Sequence, residues 1–402
     1  MDSFMKTPTE TYLLIIFGIF TIPYLLWKIC KTDRYAPLVV VQIVCGVIFG
    51  PGIFGYFFPN QYSAIFTTDT TKFMTGVATW AVVMFVATAG VEVNLKAAKE
   101  DWKETVTTSV FALITPLVVS LPLAYLLSSS NRWMGVDGQR WQFSLSVGMA
   151  LSITALPILI ILLEKMDILK KDIGVRCLRY ASFDDIAIWT VFAIILLEWD
   201  KVLRQTIFLS LYFIIFLVIQ KFSSIIKQQD RLPFLLMWIA VCSLAADWSG
   251  LHYIVGGFLA GLVINEDWLG EETVAHFRKY VLLLIMPIFF LSTGLRTDWE
   301  LKNPIVIGLA IVLFVVQAFG KMLGVRISAV INGWNKRDAM TIGWLLQTKA
   351  LIEIIFCTVM LDKGIISAQM FTALLFMAIF STVATTPIVT KRLKFPLKLG
   401  HS

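Results

Sequence analysis

Two adjacent carboxylates, Asp184 and Asp185, sit in the middle of the apolar run GVRCLRYASFDDIAIWTVFAIILLEW (174–199). A charge at the centre of a bilayer costs about 2.5–3.5 kcal/mol on insertion scales, so a pair of them there calls for a partner or a task. Successive helix positions point about 100° apart, so the two acids cannot face one partner alike. One can meet a cation on a neighbouring helix while the other looks into a cavity. Lys321, in VVQAFGKMLGV (315–325), is the best candidate for that fixed partner. The alternative is a lysine snorkelling to the cytoplasmic interface beside Arg326. Desolvation and a like charge favour the neutral acid, whereas a nearby ammonium favours the carboxylate. Such a cluster titrates as one coupled unit, in which protons and metal cations compete for the same oxygens.

Other polar residues stand in equally apolar surroundings. ALSITALPIL (150–159) contains Ser152, Thr154 and Pro157. Proline lacks an N–H, and hydroxyls can satisfy carbonyls freed by a helix break. A break there would aim helix-dipole ends at a midplane ion, and a simple proline kink is the other reading. In WLLQTKALIEII (344–355), Lys349 and Glu353 are spaced i, i+4. They could neutralise each other, or Lys349 could compensate the carbonyl end of a broken helix.

The elements that must carry these residues follow from composition. Of 402 residues 58% are hydrophobic and 15% charged, against roughly 25% charged in soluble domains; mean hydropathy is +0.79. A spanning helix needs about 20 mostly apolar residues. Thirteen segments qualify, near 11–29, 36–57, 73–93, 105–127, 141–163, 174–197, 203–220, 233–249, 251–265, 280–295, 304–328, 338–360 and 366–390. The expected fold is an all-α polytopic membrane protein, one transport domain over 1–402 with short loops and no soluble regulatory domain. The start MDSFMKTPTE lacks a signal peptide's basic region and cleavage site, so segment 1 is expected to be retained. No Gly-rich nucleotide fingerprint occurs, and no cofactor is expected. The five cysteines at 30, 45, 177, 242 and 357 show no paired spacing, which argues against a disulfide framework or a resident metal site.

The net charge of +7 is distributed as membrane orientation requires, not as nucleic acid binding would require. With the first inter-helix loop cytoplasmic, 23 of the 34 lysines and arginines fall on inner loops and tail and nine on the outer side. The positive-inside rule then puts the N-terminus outside and the C-terminus in the cytoplasm. The remaining two are Lys321 and Lys349, both within spans.

Segment 2 carries CGVIFGPGIFG (45–55) and segment 9 GGFLAGLVI (256–264); segment 3 ends FVATAGVEVNL (85–95) and segment 10 ends FFLSTGLRTDW (289–299). The matches keep their order at an offset of seven helices, and an odd offset inverts the second copy. Inverted-topology repeats place substrate sites near the midplane at the repeat interface. The expectation is one repeat over 1–197, a linker helix at 203–220 and a second repeat over 233–390.

With these residues in view, the sequence resembles the monovalent cation/proton antiporters, in particular the Kef-like branch with the plant cation/proton exchangers. RYAPLVVVQIVCGVIFGPGIFG is similar to that family's second helix, SITALPIL to its first crossing helix, and ASFDDIAIW to its ion-binding helix. FGKMLGV resembles the helix supplying the basic residue, PIFFLSTGLRTD the tenth helix, and QTKALIEIIF the second crossing helix. The likeness covers most of 34–390. It implies two crossed, discontinuous helices in an NhaA-like antiporter fold, and a homodimer working by an elevator-like movement. It also implies that Asp185 carries the exchanged cation or proton, that Asp184 is bridged to Lys321, and that Thr154 is a neighbouring ligand. Ser152, Pro157, Thr348, Lys349 and Glu353 would support the crossings. Two departures stand out. Many relatives have Asn-Asp or Gln-Asp where this chain has Asp184-Asp185, and the paired-acid form is associated with electrogenic exchange. Relatives often have Gly where Ala350 follows the lysine, which bears on how far that helix unwinds.

The function expected is antiport of Na⁺ or K⁺ against protons across a plasma-type membrane, with lipid as surroundings and no enzymatic activity. Electrogenicity, two protons per cation, follows from Asp184 being an acid, so Asp184→Asn is expected to change the voltage dependence. Alternatives are a symporter or organic-anion carrier on the same fold, which paired acids disfavour, and a non-transporting membrane sensor. His252 and Glu92 are candidates for pH sensing or for interfacial hydrogen bonds.

Overall fold

The computed structural model describes residues 7–32, 36–92, 101–196, 201–222, 226–264, 266–299 and 304–393. Lys6, Arg34, Lys96, Lys99, Lys302, Lys394 and Lys398, counted above by side of the membrane, lie outside them. Among the described residues the secondary structure is helical apart from one isolated bridge between Met134 and Ile366.

The chain opens with α1 (Pro8–Ile29), α2 (Leu38–Phe49), α3 (Pro59–Ile65) and α4 (Thr68–Glu92). Thr7 and Glu10 form a capping box at the start of α1, with Pro8 in the first turn, where a missing N–H costs nothing. Next come α5 (Trp102–Leu127), α6 (Arg140–Ser152), α7 (Leu156–Lys165), α8 (Asp172–Ile195) and α9 (Val202–Phe222). They are followed by α10 (Arg231–Ser249), α11 (Tyr253–Val263), α12 (Glu266–Leu269), α13 (Glu271–Tyr280) and α14 (Met286–Leu295). The chain closes with α15 (Ile305–Ile331), α16 (Lys336–Leu345), α17 (Leu351–Asp362) and α18 (Ala368–Leu393). The close of segment 8 is set by Gly250, whose φ of 91° ends α10.

Every one of the thirteen sequence segments coincides with helix, but by length and apolarity only ten spans qualify among the described residues. The difference has physical reasons. α8 carries five charged residues, Asp172, Arg176, Arg179, Asp184 and Asp185. α11 has 11 residues. Segment 12 is divided into α16 and α17, of 10 and 12 residues.

The chain divides into two units. One comprises Met1–Ala78, Asp101–Asp184 and Pro287–Ser402, the other Thr79–Glu100 and Asp185–Met286. In the first, α2 lies so close to α14 that a Cβ on Gly46 would collide with the Phe290 carbonyl, and one on Gly294 with Gly46. α15 approaches α5 as closely, Gly324 lying against the Phe111 carbonyl. Small residues permit such approach where lipid gives no hydrophobic drive for helices to associate. In the same unit the turn before α6 is tied to the turn after α17. Gly135 N–H donates to Ile365 O (3.0 Å), Asp137 N–H to Gly364 O (3.1 Å) and Ser367 N–H to Trp133 O (2.9 Å). In the second unit Gly261 of α11 faces Ala87 and Gly90 of α4, and Trp189 stacks on Phe258 at 5.3 Å.

Candidate functional site

The two helix breaks meet each other in the first unit. α6 stops at Ser152 because Ile153 turns extended (φ −68°, ψ 149°), and α7 restarts at Leu156 with Pro157 in its first turn. Pro157 therefore begins a new helix and does not kink an old one. The second break lies between α16 and α17, where Ala350 adopts φ 109°, ψ −89°. The segment unwinds although alanine stands where relatives often have glycine.

A buried unwound segment must account for its polar backbone groups, and here carbonyls of both breaks find donors on other elements. Ala155 N–H donates to Thr348 O at 2.9 Å, and the Thr154 hydroxyl to Leu346 O at 2.9 Å, so each break satisfies the other. The carbonyls ending α6 receive ammonium groups. Lys321 Nζ donates to Ser152 O (2.5 Å), and Lys349 Nζ to Ala150 O (2.6 Å) and Ile153 O (2.8 Å). Cations at the negative end of a helix dipole are favourable. Lys349 thus compensates a carbonyl end, but that of α6 and not of its own broken helix.

Lys321 also pairs with Asp184, Nζ to Oδ2 3.1 Å, and the same oxygen accepts the Thr154 N–H at 3.1 Å. Both side chains of the pair are buried, Lys321 at 0% exposure, so it does not snorkel. Removing one member of such a pair leaves an uncompensated charge, at a cost of about 3–5 kcal/mol. Asp185, one residue further along α8, is likewise fully buried. Lys349 Nζ lies 3.7 Å from Glu353 Oε2, both buried. Ser152 turns its hydroxyl back to Gly148 O (2.7 Å) and Thr348 its own to Leu345 O (2.9 Å). They support helix ends locally.

Sequence reasoning missed the groups that hold the second break from behind. Ser381 on α18 donates to Gln347 O (2.6 Å) and accepts from Gln317 Nε2 of α15 (2.9 Å). Thr382 accepts the Lys349 N–H at 3.1 Å. The available signal was the polar stretch STVATT (381–386) inside an otherwise apolar helix. His252 caps α11, its Nδ1 accepting the Ile254 N–H at 3.4 Å, in keeping with the hydrogen-bond reading. The Glu92 side chain lies outside what is described.

Paired breaks with buried acids and lysines are the geometry that the sequence likeness leads one to expect, and comparison with known proteins shows the family and the fold. A family model described as "Sodium/hydrogen exchanger, transmembrane" matches residues 15–392. The chain belongs to the sodium/hydrogen exchanger family. This exchanger is accordingly a membrane transporter and not an enzyme. It is 29% identical to the Na(+)/H(+) antiporter NhaS4 of Synechocystis sp., over 95% of this chain and 98% of the relative. It is 27% identical to Cation/H(+) antiporter 19 of Arabidopsis thaliana, over 88% of this exchanger and 46% of the relative. It is also 27% identical to K(+)/H(+) antiporter 1 of Saccharomyces cerevisiae, over 88% and 43%. It therefore spans less than half the length of the plant and yeast relatives. The solved structure of the sodium proton antiporter MjNhaP1 from Methanocaldococcus jannaschii covers 96% of the chain with a TM-score of 0.63 at 12% identity. That likeness is one of fold.

Proposed function

We propose that this exchanger moves a monovalent cation, Na⁺ or K⁺, against protons, with two protons per cation and hence a net movement of charge. Asp185 binds the cation or a proton in alternation. Asp184 is held by Lys321 and the Thr154 amide and shapes the field around its neighbour. Thr154 spends its hydroxyl hydrogen on Leu346 O and keeps acceptor lone pairs of the kind a hard cation takes. The observation that carries the reading is the buried Lys321–Asp184–Thr154 contact at the meeting point of two broken helices. The relatives' printed substrates, Na⁺ in Synechocystis and K⁺ in yeast, frame the choice of cation.

The proposal includes the division into inverted repeats, 1–197 and 233–390 about the helix at 203–220. Its support is a crosswise pattern. Segment 2 packs on segment 10 at Gly50 and Gly294, and segment 9 on segment 3 at Gly261 and Gly90. Exchanging the repeats carries 2 to 9 and 10 to 3, so each contact becomes the other. The homodimer, the elevator-like movement, the plasma-type membrane and the outside N-terminus belong to the same reading.

The test is Asp185→Asn in proteoliposomes under a pH gradient, assayed with Li⁺, Na⁺ and K⁺. The variant should elute as a folded protein and show no exchange with any of the three. Retained exchange would refute the assignment.

A further inference from the structure

We infer that Glu353 is a second proton-binding carboxyl of the transport cycle, and that the second proton exchanged per cation rides there and not on Asp184. The inference rests on the two-proton reading above and supplies the residue it lacks. The sequence alone offered Asp184 for that task.

Charge bookkeeping frames the problem. Apart from His252, the buried ionisable residues of acid or ammonium type among the described residues are Asp184, Asp185, Glu353, Lys321 and Lys349. With all five ionised their sum is −1. One monovalent cation brings it to zero, and two protons bring it to +1. The unit difference is the charge on which the membrane potential acts. With both ammoniums held charged by the α6 carbonyls and Asp184, two acids accept the protons, and Asp185 is only one of them.

Asp184 and Glu353 differ in what a proton would undo. At Asp184, Oδ2 receives both the Lys321 ammonium and the Thr154 amide, each at 3.1 Å. Neutralising that carboxylate weakens two charge-assisted bonds and loosens the first break. Both Glu353 oxygens are buried and accept no hydrogen bond among the described residues. Their one close partner is Lys349 Nζ at 3.7 Å, beyond hydrogen-bond range. A buried carboxylate without hydrogen bonds is held poorly as an ion. Lys349 does not need it, because its ammonium already donates to Ala150 O and Ile153 O. A proton arriving from water can thus sit on a Glu353 oxygen and leave Lys349 charged and in place.

The two acid–lysine pairs are also joined. Lys321 and Lys349 converge on one helix end, taking the carbonyls of Ala150, Ser152 and Ile153 within a single turn of α6. Two ammoniums so placed repel, and each sets the field in which the other's acid titrates. Loading at the α8 acids is thereby felt at Glu353 without any contact between the carboxyls. The ionisable groups facing Glu353 are Lys349 and the Cys357 thiol, one turn further on. Of the helices packed on α17, α6 has its one charged residue, Arg140, at its first position, and α18 has Lys391 and Arg392 in its last turn.

The experiment is a balance point in proteoliposomes clamped at zero potential. Under a roughly tenfold proton gradient, two protons per cation are balanced by a roughly hundredfold cation gradient, and one proton per cation by a roughly tenfold gradient. The wild type should balance near hundredfold, Glu353→Gln near tenfold, and Glu353→Asp near hundredfold. A Glu353→Gln protein balancing near hundredfold overturns the inference and leaves two-proton exchange standing. A wild type balancing near tenfold overturns the two-proton reading itself. If Glu353→Gln does not fold, the wild-type balance point decides the stoichiometry and carbodiimide labelling of the wild type decides the residue. Hydrophobic carbodiimide, which reacts with protonated buried carboxyls, should modify Glu353 at acid pH, and saturating cation should suppress it. Absence of that modification overturns the assignment.

Discussion

Ala350 is the residue under the greatest backbone constraint at the crossing. A non-glycine residue at φ 109° carries strain of about 1–3 kcal/mol, held only where the surroundings dictate the conformation. Those surroundings are visible: the Lys349 N–H is fixed by Thr382, and Ala350 O accepts from Ile354 N at 2.8 Å. Ala350→Gly relieves the strain and gives back about 0.5–1 kcal/mol through a freer unfolded chain. The variant is therefore expected to melt above the wild type in detergent, and Ala350→Val below it. An Ala350→Gly protein that melts lower would mean that the backbone there is relaxed. The charged residues were legible at this scale because an ion inside an apolar run stands out against its cost. The hydroxyls were not. Serine and threonine in an apolar helix ordinarily return their hydrogen to a carbonyl four residues back, as Thr385 does to Ser381 O and Thr390 to Thr386 O. Nothing in STVATT says that Ser381 reaches another element instead.

Among the elements, close helix pairs depend on the absence of a side chain at a few positions. A Cβ on Gly294 would meet Gly46 backbone, and one on Gly261 the Ala87 carbonyl, neither of which can swing aside. Gly294→Val and Gly261→Val should each cost about 1–3 kcal/mol or more and broaden the size-exclusion profile. Gly308→Ala, where nothing lies within 4 Å, should be neutral or slightly stabilising. Equal effects at all three positions would show that the loss is one of helix propensity and not of packing. The position of the first break was readable from Pro157. The second was legible only through the likeness of QTKALIEIIF to a crossing helix, because Gln347–Ala350 contains neither proline nor glycine. Tertiary bonds hold it: the Thr348, Leu346 and Gln347 carbonyls accept from the Ala155 N–H and the Thr154 and Ser381 hydroxyls in turn, and the Lys349 N–H donates to Thr382. The thirteen segments all coincide with helix, while length and apolarity alone yield ten spans among the described residues, because charged, short or broken helices fall below a hydropathy threshold.

For the whole molecule, orientation can be read without altering the chain. Of the five cysteines Cys30 is exposed and the other four are buried. It follows α1, on the side that the basic loops assign to the cytoplasm. A membrane-impermeant maleimide should label Cys30 in inside-out vesicles and leave right-side-out vesicles unlabelled; the reverse pattern would invert the proposed topology. The turns before α6 and after α17 have a practical bearing of another kind. Because main-chain groups join them, a substitution loosens them only by removing an N–H, as proline does, or by adding a side chain at Gly135 or Gly138, where a Cβ would meet the Gly364 or Ile365 carbonyl. Short surface turns are ordinarily safe places for an epitope or a fluorophore. Here a peptide spliced into residues 133–137 would pry apart the far ends of α6 and α17, so reporters for this transporter belong elsewhere on its surface.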